Sequence, residues 1–178
     1  QSLKNIAEPM RVWRVPYGSA VPAASNRLRV DDTALTLPDK PSIAVLPFAN
    51  LSSDPEQEYF ADGMVDDIIT ALSHFKALFV IARNSSFTYK GRAVDVRQVA
   101  RELGVRYVLE GSVRKAGERL RVTGQLIDAS SGNHIWAERY DRPIADIFAV
   151  QDEITANVVG AIEPQLYAAE GLRLQSKS

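Results

Sequence analysis

The spacing of apolar residues changes near residue 106. Before it, short apolar runs alternate with segments of helical spacing, and after it, apolar and polar residues alternate. Short apolar runs at residues 43–48 and 78–82 are typical of buried strands. Residues 58–76 and 95–104 carry apolar side chains at helical spacing. This alternation predicts crossover units, in which helices join neighbouring parallel strands.

After residue 106 the apolar positions alternate with polar ones, which is typical of antiparallel strands with one exposed face. Turn-forming residues separate three such strands. The strands are predicted at residues 106–115, 118–128 and 133–140. Gly111 and Gly124 lie inside these strands and predict bulges or a close approach of other groups to the backbone.

Capping residues indicate where the helices begin and end. Asp95 is a predicted N-cap, and Gly104 ends the same short helix. Asp146 is a predicted N-cap of a last helix, which Pro164 is expected to kink or terminate. The pattern predicts an α/β two-layer sandwich, in which a mixed five-stranded sheet (βαβαβ, then an antiparallel β-meander) packs against about three helices.

Composition excludes several classes of function. The 178 residues carry a net charge of -1, which argues against a protein that binds nucleic acid by bulk electrostatics. The sequence has no cysteine, so disulfides, thiolate catalysis and cysteine-based zinc sites are excluded. The lack of cysteine fits a cytoplasmic location, which we expect. No apolar run reaches the ~18–20 residues of a membrane-spanning helix.

The chain begins with features that do not belong to this pattern. Residues 10–15 are a short β-prone run, and residues 16–40 have the composition of a linker. The apolar side chains of Val12, Trp13 and Val15 are expected to be covered, so we predict an interface in which this strand pairs with a sheet edge of the same domain or of a neighbouring copy.

The sequence of residues 41–166, which includes "PSIAVLPFANLSSDPEQEYFADGMVDDIITALSHF" and "LEGSVRKAGERLRVTGQLIDASSGNHIWAERYDR", resembles a bacterial domain related to the N-terminal part of TolB and to the flagellar protein FlgO. This resemblance implies an accessory domain that commonly follows a class III adenylate/guanylate cyclase domain and precedes tetratricopeptide repeats. The domain also occurs behind winged-helix DNA-binding domains.

The opening stretch "LKNIAEPMRVWRV" resembles the last strand of a class III cyclase catalytic domain. Together the two resemblances imply that residues 1–15 close an upstream cyclase domain and that residues 16–40 are a linker. Residues 41–166 would be the accessory domain, and residues 167–178 would start a downstream linker or helical repeat region. The parent would be a cyclase that uses magnesium or manganese, whereas this piece would hold no cofactor, no metal and no catalytic residue.

The expected function is therefore that of a non-catalytic accessory domain in cyclic nucleotide signalling, which acts through protein–protein contact. Its partners would be the upstream cyclase domain, downstream helical repeats and, in a homodimer, a second copy. Nucleic acid is not expected as a partner. The alternative is a sensor of a small molecule or nucleotide, which would use a crevice at the carboxyl ends of the first two strands.

The loop after the second strand carries the candidate ligand-binding residues of that crevice. Their side chains offer hydrogen-bond donors suited to an anion or nucleotide. The candidates are Arg83, Asn84, Ser85, Ser86, Tyr89, Lys90 and Arg92. In the alternative interpretation, the Asn and Ser side chains bind the loop's own backbone while Phe87 and Tyr89 anchor it to the core.

Three further groups of residues invite a functional and a structural interpretation. Asp62, Asp66 and Asp67 are explained by the positive end of a helix dipole better than by a magnesium site. His74 and His134 lack metal-ligand spacing, so capping or packing is expected. A basic hairpin tip could meet an acidic partner or a phosphate, or it could simply keep the hairpin soluble. The tip comprises Arg114, Lys115, Arg119 and Arg121.

Overall fold

The computed structural model describes residues 40–176, which form one mixed six-stranded sheet and four helices. The elements in chain order are β1 (Ser42–Val45), β2 (Ala49–Asn50), α1 (Glu56–Ser73), β3 (Phe79–Val80), α2 (Arg83–Phe87), α3 (Val96–Leu103), β4 (Tyr107–Ala116), β5 (Arg119–Asp128), β6 (Asn133–Pro143) and α4 (Ile147–Gln175). The predicted fold class, an α/β two-layer sandwich with a mixed sheet, is confirmed.

The strands lie in the order β3-β1-β4-β5-β6, and β2 continues beside β4 in line with β1. β1 is parallel to both β3 and β4, whereas β4, β5 and β6 form an antiparallel meander. The parallel half arises because helices connect its strands, and the antiparallel half arises because tight turns do.

The main core lies between one face of the sheet and the helices α1 and α4. Met64 and Ile68 of α1 and Ile154 and Ile162 of α4 are completely buried there. Period-two alternation places most of the apolar residues of β4 and β5 on this face, namely Tyr107, Leu109, Val113, Leu120, Val122 and Leu126. A smaller cluster on the opposite face packs α3 against the sheet through Val99. The rest of that opposite face is open, as the alternating pattern predicted.

Local chemistry explains the predicted helix ends. Asp95 accepts a hydrogen bond from the backbone N–H of Arg97 at 2.8 Å, and Gly104 has the left-handed φ of 66° that a glycine C-cap permits. Asp146 accepts from the N–H groups of Phe148 and Ala149 at the start of α4. These three capping predictions are confirmed.

The apolar run at residues 43–48 is not one strand. β1 ends at Val45, which pairs with Leu109, and β2 begins at Ala49, which pairs with Ser112. Three residues of the first segment therefore lie opposite two residues of β4, which is the geometry of a bulge. Pro47 occupies the bulge, where the absence of an N–H group costs no ladder hydrogen bond. This interruption creates the sixth strand.

Two other expectations differ from the structure. The segment predicted as a loop after the second strand begins with the short helix α2. Pro164 lies inside α4 and does not terminate it. The carbonyl of Gly160, four residues earlier, is the one that a proline leaves unbonded, and this residue is exposed so that water can bind it.

Some predictions lie outside the residues described. The predicted strand, with the interface residues Val12, Trp13 and Val15, and the predicted linker except for Lys40 lie before the described residues. The domain boundaries stay predictions, and α4 runs through residue 166 without a break. Of the helices described, none is both long enough and apolar enough to cross a membrane.

Candidate functional site

A cleft of about 570 Å³ opens near the carboxyl end of β1. Its walls are the segment from Leu46 to Asn50 and the loop from Tyr89 to Val94, with Glu58 of α1 beside them. Its floor is the open face of the sheet. The floor residues are Glu110, Gly111, Ser112 and Gln125. The cleft lies in the region where the sequence placed the crevice, since its walls follow β1 and the β3–α2 segment.

Three of the seven predicted ligand-binding residues line this cleft, namely Tyr89, Lys90 and Arg92. Lys90 is held by α1, because its Nζ lies 2.5 Å from Oδ2 of Asp62 and 3.0 Å from Oε1 of Glu58. Burial alone would lower the pKa of Lys90, but the two carboxylates outweigh burial and raise it. This ammonium group therefore anchors the loop.

Arg83 also contacts α1 and does not line the cleft. Its Nε lies 3.6 Å from Oδ1 of Asp66, and its guanidinium lies 3.9 Å from the centre of the Phe87 ring. Glu58, Asp62 and Asp66 recur every four residues, so they form one acidic stripe along α1. This stripe holds two of the three cations of the loop, Arg83 and Lys90.

The explanation of the α1 aspartates by the helix dipole is wrong. α1 begins at Glu56, so Asp62, Asp66 and Asp67 lie beyond its first turn, where the effect of the dipole has faded. Asp62 and Asp66 pair with the cations of the loop, and Asp67 accepts a hydrogen bond from Nε2 of Gln151.

Asn84, Ser85 and Ser86 lie in α2 rather than at the cleft. The carbonyl of Ser85 accepts a hydrogen bond from the Thr88 hydroxyl at 2.8 Å. Ser86 is completely buried, and its Oγ has no hydrogen-bond partner among residues 40–176. The backbone of these residues builds the short helix. The buried Ser86 hydroxyl does not make the expected hydrogen bond to the loop's own backbone, and a ligand-binding role for these residues stays a prediction.

Tyr89 fixes the middle of the loop. Its hydroxyl donates to Oε2 of Glu102 at 2.5 Å, and its ring packs into the smaller core cluster. Burial, followed by the neighbouring carboxylate of Glu102, raises the pKa of Tyr89 to about 12. Arg92 is exposed, with its guanidinium 5.8 Å from the centre of the Tyr89 ring. Of the three predicted residues that line the cleft, Arg92 is the exposed one.

Sequence reasoning missed the floor of the cleft. Glu110 and Ser112 alternate along β4, and Gln125 lies opposite Glu110 on β5. Their polar side chains at period-two spacing were the available signal, since alternation places them together on the open face. With Arg92 on the wall, Glu110 on the floor gives the cleft both signs of charge.

The basic hairpin divides between the two faces of the sheet. Arg114, Arg119 and Arg121 line a hollow on the open face together with Asp141. Lys115 lies on the other side, where its Nζ is 3.4 Å from Oδ2 of Asp54.

The histidines lie apart: His74 is the C-cap residue of α1 and His134 lies in β6. Among residues 40–176, no group of three or more potential ligands could hold a metal ion.

Comparison with known proteins adds a relative and two structures. A protein from Rhizobium meliloti (strain 1021) named "Putative adenylate cyclase 3" is 54% identical over 175 residues, which cover 98% of this chain and 30% of that protein. The chain thus spans less than a third of that relative's length. The lipoprotein GNA1162 from Neisseria meningitidis is 19% identical with a TM-score of 0.53, over 68% of this chain and 97% of that one. TolB from Acinetobacter baumannii is 18% identical with a TM-score of 0.48, over 70% of this chain and 29% of that one.

The likeness to GNA1162 concerns the fold alone, because folds are shared between unrelated functions. The family comparison is more specific. The model described as "HilA/YgeH-like transcriptional regulator, second domain" matches residues 39–157, which is more than half of the chain. The chain therefore belongs to the family of HilA/YgeH-like second domains.

Proposed function

We propose that this chain is a non-catalytic accessory domain of a larger adenylate or guanylate cyclase and that it acts through protein–protein contact. The observation that carries the proposal is the 54% identity, across 98% of the chain, to part of a protein named as an adenylate cyclase. Most of that relative lies outside the matched part, so its named activity can reside elsewhere. The proposed role is to bias the catalytic part rather than to perform the reaction.

The contacts of the acidic residues support a structural role. Magnesium-dependent chemistry requires carboxylates that are available to coordinate the ion. The three α1 aspartates instead serve as partners for Arg83, Lys90 and Gln151. Their charges fasten the cleft loop and α4 to α1, so these carboxylates serve structural contacts.

The test is nucleotide turnover by the whole protein that contains this chain, compared with a version that lacks residues 41–166. We expect the deletion to change the turnover rate or the response to protein concentration, while the choice between ATP and GTP and the need for magnesium or manganese are retained. Retained selectivity would show that the catalytic part is still folded.

Two outcomes would refute the proposal. The first is unchanged rate and unchanged response in the deleted protein. The second is production of a cyclic nucleotide from ATP or GTP by this 178-residue chain alone.

A second candidate function is a small-molecule or nucleotide sensor that uses the cleft. The specific observation in its favour is a volume of about 570 Å³, within the range of about 300–1,000 Å³ typical of ligand sites. Titration of the ¹⁵N-labelled chain with mononucleotides should shift the amide signals of the 89–94 loop, and an Arg92→Gln variant should weaken the shifts more than Arg101→Gln on α3. Unshifted loop signals at millimolar nucleotide would rule this function out.

A further inference from the structure

The open face of the meander concentrates positive charge at the end farther from α3. In the sheet register, Arg114 of β4 lies directly opposite Arg121 of β5, and Arg121 lies opposite Asp141 of β6. Alternation along the strands places two more arginines on the same face. This arginine face comprises Arg114, Arg119, Arg121 and Arg139.

Among residues 40–176, the ion pairs of the arginine face are made with one carboxylate, that of Asp141. Asp141 accepts hydrogen bonds from Nε of Arg121 at 2.7 Å and from its Nη2 at 3.3 Å, and Nε of Arg139 lies 3.5 Å from Asp141. The hydrogen bond from Arg121, with the charges of Arg139 and Arg119, holds the pKa of Asp141 below its usual range. The next carboxylate on this face along β4 is Glu110, about 13 Å from Arg114 at strand spacing.

This excess of positive charge is unfavourable for the isolated domain. Like charges directly opposite each other in an antiparallel pair destabilise a sheet, and Arg114 and Arg121 are such a pair. Both arginines border a hollow of about 260 Å³. Arg121 and Arg139 keep 47% and 61% of their side chains exposed, so their guanidinium groups are open to a partner. A carboxylate that entered the hollow would relieve the repulsion and complete the pairing.

We propose that the arginine face binds an acidic segment of a partner protein, with its carboxylates seated between Arg114, Arg121 and Arg139. Guanidinium groups pair with carboxylates in a planar, two-bond geometry that lysine does not offer. The inference rests on the proposed function, which it deepens by naming the contact surface and the chemistry of the partner.

Carboxylates are favoured over a nucleic acid backbone for two reasons. The chain as a whole carries a net charge of -1, so it lacks the extended positive field that attracts DNA or RNA. Binding to the DNA backbone gains its strength from the number of phosphates that are neutralised, and the arginine face offers four guanidinium groups. A short run of Asp or Glu residues matches both the size and the charge of this surface.

The experiment is a titration of the ¹⁵N-labelled 178-residue chain with a hexaglutamate peptide at about 50 mM salt, followed by amide shifts. We expect the largest shifts at the four arginines of the arginine face and at the residues between them. Arg114→Glu combined with Arg139→Glu should raise the dissociation constant at least about tenfold. The matched control is Arg101→Glu with Lys76→Glu, which makes the same change of net charge elsewhere on the surface and should alter the constant less than about twofold.

Inorganic phosphate and a short DNA duplex are titrated in parallel. Binding of either probe at the arginine face as tight as that of the peptide would overturn the proposal, as would equal weakening by the control variant or unshifted amides on this face. A melting curve of each variant verifies folding, and the Arg114→Glu substitution would turn the repulsive pair with Arg121 into an attractive one. If the peptide does not bind, the turnover test of the proposed function still applies, because the domain could then act on its partner through another surface.

Discussion

The ring of Phe48 lies against the backbone of Gly111, in the space where any other residue would carry its side chain. A Cβ atom at Gly111 would lie 2.7 Å from Cζ of Phe48 and 2.5 Å from the carbonyl oxygen of Thr123. Phe48 reaches this position because the bulge between β1 and β2 turns it into the main core. Gly111 belongs to the floor of the cleft and Phe48 to the main core, so this contact joins the floor to the core.

Replacement of Gly111 by alanine should destabilise the domain by about 1–3 kcal/mol, because the added methyl group forces both the ring and the β5 backbone to move. Chemical denaturation measures the change. Gly160→Ala is the matched control: nothing lies within 4 Å of the added Cβ on α4, so this variant should gain about 0.5–1 kcal/mol. An unaltered unfolding midpoint for Gly111→Ala would mean that the close approach is not a constraint.

A second prediction concerns the buried carboxylate of Glu170 near the end of α4. It accepts from the hydroxyl of Tyr107 at 2.8 Å and from Nη2 of Arg173 at 2.7 Å, and Nη1 of Arg106 lies 3.3 Å away. Glu170→Gln removes the anion that these guanidinium groups contact and should cost about 2–4 kcal/mol. Asp152→Asn on the exposed side of the same helix should have little effect.

The stability difference between wild type and Glu170→Gln should depend on pH. Burial would raise the pKa of Glu170, but Arg173, Tyr107 and Arg106 outweigh burial and lower it below the ordinary 4.5. A depressed carboxyl pKa contributes stability that is present above the unfolded value and is lost as the pH falls through the folded value. The difference between wild type and Glu170→Gln should thus shrink below about pH 4.5 in denaturation experiments. A difference that stays constant from pH 7 to the acid limit of folding would contradict it.

The fold was predictable wherever short-range chemistry determines it. Asp95, Gly104 and Asp146 cap helices through bonds to residues two to four positions away, and alternation placed the strands of the meander. The break at Pro47 was not predictable, because a continuous apolar run does not indicate where the strand shifts its register against β4. α2 was missed for a related reason: a five-residue helix is too short to show a period.

The candidate site was predictable in place and not in detail. Strand order implied a crevice beside the 83–92 loop, and the structure has a cleft there. Lys90 and Asp62 are 28 positions apart, so only the packing of the loop on α1 reveals that the cation is already paired. The register of β5 and β6 places Arg139 on the same face as the arginines of the basic hairpin, and this register could not be read from the composition of the sequence.

The third prediction is that Lys90 stabilises the cleft loop. Lys90→Met removes the contacts to Asp62 and Glu58 and should raise the rate of amide hydrogen exchange across residues 89–94, with a loss of about 1 kcal/mol or less because the side chain is 33% exposed. Arg92→Met is the matched control in the same loop and should leave exchange nearly unchanged.

The ionisation of Lys90 supplies an independent check of that prediction. Its raised pKa means that its contribution is fully present below the ordinary value of 10.5 and disappears as the pH rises through the higher folded value. Wild type and Lys90→Met should therefore converge in stability only at strongly alkaline pH. Equal exchange rates in the wild type and Lys90→Met at neutral pH would show that the ion pair does not hold the loop.

The fourth prediction separates attraction from repulsion on the arginine face. Asp141→Asn removes the carboxylate that Arg121 and Arg139 share and should lower the melting temperature, whereas Arg114→Thr removes the repulsion across the β4–β5 pair and should raise it. Because the pKa of Asp141 is depressed below 3.8, its contribution is present above that pH and is lost as the pH falls through the folded value.

Threonine also favours strands, so the gain from Arg114→Thr needs a second measurement to identify its cause. Charge repulsion between exposed groups weakens with salt, because the screening length falls from about 10 Å at 0.1 M to about 3 Å at 1 M, whereas strand propensity is not screened. We therefore expect most of the gain in melting temperature to disappear in about 1 M salt. A gain that persists at high salt would assign the effect to strand propensity. It would also show that Arg114 and Arg121 do not repel each other appreciably, and this repulsion is part of the energetic argument for the docking of an acidic segment.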